Sequence, residues 1–195
     1  MARIPHGITA PLGVTLAAPA PSPITPRPPY FVALGTIEPR KNHRLLFDIW
    51  AQMGQGAPQL IVIGGKGWAD AALFDQMAQL QRTGAVIHAE NLPDGAVVTL
   101  LQGASALLFP SLAEGFGLPP IEAAALGTPV IASDLPVLRE TCGQFAVYLS
   151  PSDVYSWMET IKNLARHRTA RQEQKVRRDL PLWADHFKTV LTQIG

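Results

Sequence analysis

The sequence predicts a doubly wound α/β domain built on a parallel sheet. Short apolar runs recur along the chain, and each is followed by a turn rich in glycine or proline and then by a helical period. Because strand and helix patterns alternate, we expect right-handed crossovers and a parallel sheet that is covered by helices on both faces. The composition agrees with this class, since 195 residues that are 47% hydrophobic can bury a sizeable core.

Six apolar runs are the predicted strands. Between the first two runs, apolar side chains recur at helical spacing with polar residues opposite, which is typical of an amphipathic helix. These apolar side chains are Leu45, Leu46, Ile49, Trp50 and Met53. The six runs are residues 30–34, 60–63, 86–88, 106–109, 130–132 and 146–149.

Proline dominates the start of the chain. Residues 1–29 hold eight of the 18 prolines and no acidic residue, which predicts an extended linker with polyproline character. Pro5, Gly7, Pro11 and Gly13 interrupt the apolar stretch that a secretory signal needs, so we do not expect a signal peptide.

The last part of the chain predicts helices. Asp153, after a proline and a serine, is typical of a helix start. Residues 166–178 carry six of the 16 lysines and arginines, either as a solvated helix face or as a contact with an acidic lipid surface or partner. A terminal amphipathic helix around Trp183 and Phe187 then needs a surface to pack on. The buried stripe expected after Asp153 comprises Val154, Trp157, Met158, Ile161 and Leu164.

The net charge and the cysteine content indicate that any ligand is bound at a local site. A formal net charge of +1 supplies no general field that would hold nucleic acid or an anionic membrane, so we expect no nucleic-acid partner. The single cysteine, Cys142, closes no intrachain disulfide and forms no multi-cysteine metal site. No apolar run approaches the roughly 20 residues of a membrane-spanning helix.

The loops after the first, second and fourth strands form the candidate site, because ligands of open α/β sheets bind at the carboxyl ends of strands. These loops are residues 35–43, 64–68 and 110–120, and we expect all of them at one edge of the sheet. Glycines in the third loop let backbone amides approach an anion or a sugar hydroxyl beside a helix N-terminus, which carries partial positive charge. The sequence therefore predicts a cradle for a phosphate or a sugar.

Two acidic residues, Glu114 and Glu122, mark this third loop and the helix after it. Taken singly, Glu114 can cap a turn, and Glu122 can be a carboxylate that the helix dipole stabilises. Together, however, they form Glu-x7-Glu with Phe-Gly-Leu-Pro between them and Gly-Thr-Pro-Val-Ile-Ala at 127–132. This string resembles the signature of the retaining glycosyltransferases of family 4. The resemblance runs from about residue 30 through Trp157 and implies the C-terminal half of a GT-B fold, which has two Rossmann-like domains.

The resemblance implies a role for each residue of the motif. Glu122 matches the residue that hydrogen-bonds the nucleotide ribose, and Glu114 the one beside the hydroxyls of the transferred sugar. Phe116, Gly117 and Leu118 match the turn whose amides face the sugar and the diphosphate.

Lys41 matches the lysine that neutralises the diphosphate. The family's common Gly-Arg-Leu reads Gly35-Thr36-Ile37 here, so the usual arginine is absent and Arg40 is the candidate replacement. Lys66 belongs to a Gly-Gly-Lys-Gly-Trp turn, which either lies beside the donor or is a plain surface turn. The implied catalytic residues are Glu114, Arg40 and Lys41, and the implied donor contacts are Glu122, Phe116, Gly117, Leu118, Gly35, Thr36 and Lys66.

The chemistry also leads us to expect no metal or other cofactor. Cleavage of a nucleoside diphosphate sugar leaves negative charge on the phosphate, which arginine, lysine and helix amides can stabilise. His43 and His88 have no partner at metal-ligand spacing, so we interpret both as structural. A dinucleotide-dependent oxidoreductase is disfavoured because Asp70 stands where the third glycine of the Gly-x-Gly-x-x-Gly fingerprint must pack.

The resemblance implies a division of the chain and a function. Residues 1–29 would be the interdomain linker, 30–165 the nucleotide-sugar-binding domain, and 166–195 a helical tail. Residues 4–8 resemble the family's Pro-Asn-Gly segment, with His6 in place of asparagine, at the junction with an N-terminal acceptor domain. We expect a cytoplasmic hexosyltransferase half that uses GDP-mannose, with UDP-glucose open, on a glycan or lipid-linked acceptor, with peripheral membrane contact as a further hypothesis. The alternative is a non-catalytic nucleotide-sugar-binding subunit of a split glycosyltransferase.

Overall fold

Six parallel strands form a single sheet in the order β3-β2-β1-β4-β5-β6, in a computed structural model that describes residues 9–166 and 182–194. This order places β1 in the middle, paired with β2 on one side and β4 on the other. The strands are β1 (Tyr30–Leu34), β2 (Gln59–Ile63), β3 (Val86–Ala89), β4 (Ala106–Phe109), β5 (Val130–Ser133) and β6 (Ala146–Leu149). All six predicted strands are confirmed, with β2, β3 and β5 one residue longer than expected.

Helices cover both faces of the sheet, which confirms the doubly wound prediction. The first, second and sixth helices pack on one face around Phe31, Trp50 and Trp157, and the third, fourth and fifth pack on the other. The helices are α1 (His43–Met53), α2 (Ala71–Arg82), α3 (Asp94–Gly103), α4 (Leu118–Ala125), α5 (Pro136–Cys142), α6 (Val154–Arg166) and α7 (Trp183–Ile194).

Local sequence signals explain where several helices begin. Asp70 accepts a hydrogen bond from the amide of Leu73 at 2.8 Å and so caps α2. Asp153 accepts one from the amide of Ser156 at 3.0 Å, which confirms the predicted start of α6. In α6, Trp157, Ile161 and Leu164 are buried, and Val154 and Met158 pack against the same core, as the spacing predicts.

Residues 9–29, which we call the N-terminal strap, have no regular secondary structure and contact α3 and α4. The amide of Ala20 donates to the carbonyl of Gly95, and Thr99 Oγ1 donates to the carbonyl of Ala20 at 2.6 Å. Val14 is buried against Ile121 and Cys142. The proline-rich composition predicts extended backbone for these residues. Their packing against the domain is not predicted by the sequence and is seen only in the structure.

The terminal helix α7 lies against the strap. His186 Nδ1 is 2.9 Å from the carbonyl oxygen of Pro11, and Trp183 is in contact with the backbone at Gly13. The large apolar side chains Leu182, Phe187 and Leu191 are exposed. The predictions for residues 4–8, and for residues 167–178 of the basic stretch, lie outside the described residues. Within the described ranges, no helix is long and apolar enough to span a bilayer.

Candidate functional site

The loops that follow β1 and β2 join into one layer at the carboxyl edge of the sheet. Ile37 and Lys66 form a parallel bridge, in which the amide of Ile37 donates to the carbonyl of Gly65 and the amide of Gly67 donates to that of Ile37. Gly64 has a φ of +150°, and a Cβ there would overlap the carbonyl of Gly35, so this close approach requires glycine. The predicted meeting of these two loops is confirmed.

The loop after β4 is tied to the loop after β1 by main-chain and side-chain bonds. The amide of Leu112 donates to the carbonyl of Arg40 at 2.7 Å. The side-chain nitrogen of Asn42 donates to the carbonyls of Pro110, at 3.2 Å, and Pro151, at 3.1 Å. Asn42 thereby links the carboxyl ends of β1, β4 and β6, and it does so from a left-handed backbone with φ of 53°.

The three residues predicted to be catalytic, Glu114, Arg40 and Lys41, form one ion-pair network, which we call the Glu114 network. Lys41 Nζ lies 2.6 Å from Glu114 Oε1, and Arg40 Nη1 lies 3.3 Å from Glu114 Oε2. Arg40 Nε is also 2.6 Å from Glu38 Oε1. The side chains of Lys41 and Glu114 are only 11% and 8% exposed, so this pair is largely removed from water. The structure thus brings together residues that lie on two separate loops.

The ammonium of Lys41 is also held from its other sides. Its Nζ lies 4.7 Å from the centre of the Phe109 ring, close enough for a cation–π interaction. The Lys41 side chain crosses the backbone of Gly35, where a Cβ would lie 3.3 Å from Lys41 Cε. Gly35 therefore lies beside Lys41, and its lack of a side chain leaves room for the lysine.

The turn before α4 is built around Gly117. Gly117 adopts a φ of 84° and forms the N-cap, with Leu138 in direct contact, so a side chain at this position would be both strained and crowded. Pro119 and Pro120 have no amide hydrogen, so the amides that the start of α4 leaves outside the helix are those of Gly117 and Leu118. Phe116 packs its ring towards Ile121 and the strap.

Glu122 lies in α4 and is half-buried among apolar residues. Burial raises the pKa of the Glu122 carboxyl, and the nearby negative charge of Asp94, at the start of α3, raises it further. Ionisation of Glu122 is therefore less favourable than that of a solvent-exposed glutamate. A ligand that donates hydrogen bonds to this carboxylate would relieve that penalty.

Thr36 and Lys66 belong to the joined loops, but their side chains are exposed. Lys66 Nζ lies 5.9 Å from the centre of the Phe74 ring on α2. The ammonium of Lys66 is thus directed to a helix, whereas those of Lys41 and Arg40 converge on Glu114. Trp68, two residues further along, is 71% exposed at the same edge.

Both histidines of this edge have structural positions. His43 is buried beside Phe47, and burial, with Lys41 and His88 nearby, lowers its pKa to about 4, so it is neutral at pH 7. His88 Nε2 lies 2.8 Å from the carbonyl oxygen of Gly64 and holds the loop after β2. Among the residues that the structure describes, no cluster of three or more His, Cys, Asp or Glu could hold a metal ion.

Three residues of the site were missed by the sequence analysis: Glu38, Asn42 and Phe109. Glu38 orients Arg40, Phe109 supports Lys41, and Asn42 fixes the backbone between them and α1. The only local signal is Asn42 itself, because asparagine is enriched at left-handed positions. The other two act through contacts that no local pattern encodes.

Comparisons with known proteins identify relatives of the domain. Residues 17–178 match the family described as glycosyl transferases group 1. The O-antigen chain mannosyltransferase RfbU of Salmonella typhimurium is 36% identical over 138 residues, which cover 69% of this chain and 38% of that protein. The O-antigen chain mannosyltransferase B of Escherichia coli is 34% identical over 128 residues, which cover 64% of this chain and 34% of that protein. The chain thus spans about a third of the length of these relatives.

A solved structure supports the fold. The apo form of the lipopolysaccharide outer core galactosyltransferase WaaB superposes with a TM-score of 0.63 at 21% identity, over 97% of this chain and 55% of that chain. The Rossmann-like sheet of the present chain therefore corresponds to one half of a GT-B fold, as the motif string implied.

The raised pKa of Glu122 predicts a pH-dependent gain in stability for Glu122→Gln. At pH 7 ionised Glu122 is less favourable in the folded than in the unfolded chain, so the variant should melt at a higher temperature. Because the folded pKa is the higher one, the gain should shrink as the pH falls through it. It should vanish below the ordinary value of about 4.3. Thermal melts from pH 4 to 7 measure this, with Glu140→Gln, at an exposed position of α5, as control. A lower melting temperature for Glu122→Gln at pH 7 would contradict it.

The two roles of Asn42, its hydrogen bonds and its left-handed backbone, predict different costs for two substitutions. Asn42→Gly keeps the backbone conformation but removes both bonds, and should cost about 1–3 kcal/mol in unfolding free energy. Asn42→Ala removes the same bonds and also strains the backbone, so it should cost about 1 kcal/mol more. Urea unfolding measures both values. Because glycine loses more conformational entropy on folding than alanine, an Asn42→Ala variant more stable than Asn42→Gly would contradict a cost of the left-handed conformation.

Proposed function

The chain belongs to the glycosyl transferases group 1 family, and from this we propose that it holds the nucleotide-sugar donor of a retaining hexosyltransferase. The sugar would pass to a glycan or a lipid-linked acceptor. GDP-mannose is the proposed donor, a choice supported by two relatives that are named as mannosyltransferases. A lipid-linked acceptor would bring the protein to the cytoplasmic face of a membrane.

The Glu114 network is the observation that carries this proposal. Arg40 and Lys41 place two positive charges at the carboxyl edge of the sheet, where ligands of this fold bind. Cleavage of a nucleoside diphosphate sugar transfers negative charge to the leaving diphosphate, and positioned cations lower the energy of that charge. The amides of Gly117 and Leu118, at the start of α4, would add donors for the same diphosphate.

Glu114 and Glu122 would contact the two ends of the donor. Glu114 would accept hydrogen bonds from hydroxyls of the transferred sugar, and Glu122 would accept them from the ribose. Burial and the charge of Asp94 make ionisation of Glu122 less favourable, and such perturbed groups concentrate at functional sites. Ribose hydroxyls would supply the hydrogen bonds that this carboxylate needs.

The reaction is proposed to proceed without a metal ion. The stabilisation of the leaving diphosphate would come from the guanidinium of Arg40, the ammonium of Lys41 and the amides of Gly117 and Leu118. Arginine offers a planar pair of donors suited to phosphate oxygens, and lysine supplies a compact charge. Arg40 would take the place of the arginine that is absent at Thr36.

A second candidate function is donor binding without transfer, as one subunit of a split glycosyltransferase. The share of the relatives that this chain spans, about a third of their length, favours the view that another domain or chain presents the acceptor. Exposed apolar side chains at Trp68, Leu112 and on α7 offer surfaces for such a partner.

Titration calorimetry with GDP, UDP, ADP, GDP-mannose and UDP-glucose tests the proposed donor, and we expect GDP-mannose to bind best. Glu122→Ala should weaken its binding by roughly tenfold to a hundredfold, because a lost charged hydrogen bond costs about 1.5–3 kcal/mol. Glu159→Ala on α6 is the control and should leave binding unchanged. Unchanged affinity in Glu122→Ala would remove Glu122 from the site, and no binding of any nucleotide would overturn the proposal.

The need for a second domain predicts that this chain alone binds donor but transfers no sugar. Transfer requires an acceptor that is held in line with the bound sugar, and proximity supplies much of the rate. Incubation of the chain with labelled donor and a lipid-linked or glycan acceptor, followed by product separation, measures transfer. Robust transfer by this chain alone would contradict the split arrangement.

A further inference from the structure

Glu114 contacts the same two cations that the donor's diphosphate would need. One carboxylate oxygen is 2.6 Å from Lys41 Nζ and the other is 3.3 Å from Arg40 Nη1, so both oxygens are engaged. A carboxylate and a phosphate offer the same kind of charged oxygen acceptor to these donors. The carboxylate of Glu114 therefore stands in the position of an anionic ligand.

The groups around Lys41 shield its ammonium from water. Its side chain is 11% exposed, with Phe109 and the Gly35 backbone against it. Because water screens so buried a pair only weakly, a diphosphate that contacts Lys41 would strongly repel the Glu114 carboxylate and so weaken its bond to Lys41. Occupation of Lys41 by the carboxylate and by the diphosphate is thus competitive.

The exchange needs only side-chain movement. The bond from the amide of Leu112 to the carbonyl of Arg40 and the two bonds from Asn42 hold the loops together. Glu114 and Lys41 therefore stay within reach of each other whichever ligand is bound. A carboxylate that loses Lys41 remains in reach of it and can return.

We propose that Glu114 is a built-in competitor that distinguishes the nucleotide-sugar donor from the nucleoside diphosphate product. The proposal rests on the function proposed above. Donor binding displaces Glu114 from Lys41, but the sugar hydroxyls then donate hydrogen bonds to the freed carboxylate and offset its loss. The product lacks the sugar. A Glu114 carboxylate displaced by the product would therefore remain buried without its bond to Lys41, which is unfavourable. Glu114 therefore returns to Lys41 and favours product release.

The proposal predicts opposite effects of Glu114→Gln on product and donor. Without the competing charge, GDP should bind the variant roughly tenfold more tightly than it binds the wild type, as expected when a charged hydrogen bond no longer opposes it. GDP-mannose should gain nothing or bind more weakly, because the neutral amide is a poorer acceptor for the sugar hydroxyls. The ratio of donor to product affinity, measured by calorimetry on the full chain, should therefore fall.

Two sets of variants separate this competition from a general change in charge or a folding defect. Lys41→Met and the double variant with Glu114→Gln complete a double-mutant cycle, in which the gain for GDP should vanish when Lys41 is absent. Glu90→Gln, in the loop after β3, removes the same charge without contact to Lys41 and should leave GDP affinity unchanged. Glu114→Asp retains the charge with a shorter reach and should show part of the gain, so it serves if the glutamine variant does not fold.

The outcomes separate this inference from the proposed function. If the wild type binds GDP and Glu114→Gln binds it equally or more weakly, the competition is overturned while donor binding stands. An equal gain in Glu90→Gln, or a gain that persists without Lys41, also overturns it. If neither form binds any nucleotide, the proposed function itself fails.

Discussion

The parallel pairing of β1 with both β2 and β4 determines where every candidate site residue lies. Parallel strands end at the same edge, so the loops after these three strands converge even though they are far apart along the chain. Lys41 and Glu114 meet there across 73 positions of sequence. The bridge between Ile37 and Lys66 and the bonds from Asn42 then hold the loops at fixed distances. The charges of the site are positioned by backbone pairing and by one asparagine.

This arrangement places several charged groups where they contribute little to the stability of the fold or lower it. Arg40 and Lys41 lie in a short 3-10 turn directly before α1, where positive charge opposes the helix dipole. Burying Lys41 with Glu114 removes both charges from water, and such pairs contribute little net stability compared with apolar residues. Glu122, half-buried beside Asp94, is a second unfavourable group. A bound anion that contacts the cations, with hydroxyls that reach the carboxylates, would satisfy all of these groups at once.

The candidate site combines a family motif with a local substitution. Membership of the glycosyl transferases group 1 family agrees with the spacing of Glu114 and Glu122, whereas Thr36 stands where the resemblance leads one to expect arginine. Arg40 reaches Glu114 from a different position in the same loop, with Glu38 as its second partner. Arg40 thus supplies a positive charge beside Glu114, whereas Thr36 carries none.

The sequence alone determined the α/β class, all six strands, the start of α6 and the loops that carry the site. These features follow from apolar periodicity, caps and glycine turns, which act over a few residues and are legible locally. Only the tertiary structure decided that Glu114 pairs with Lys41 and Arg40 and that Asn42 bridges two loops. It also decided that the ammonium of Lys66 lies over α2 and that the strap packs on α3. Each of these depends on which strands become neighbours, and a contact between distant segments leaves no periodic trace in either of them.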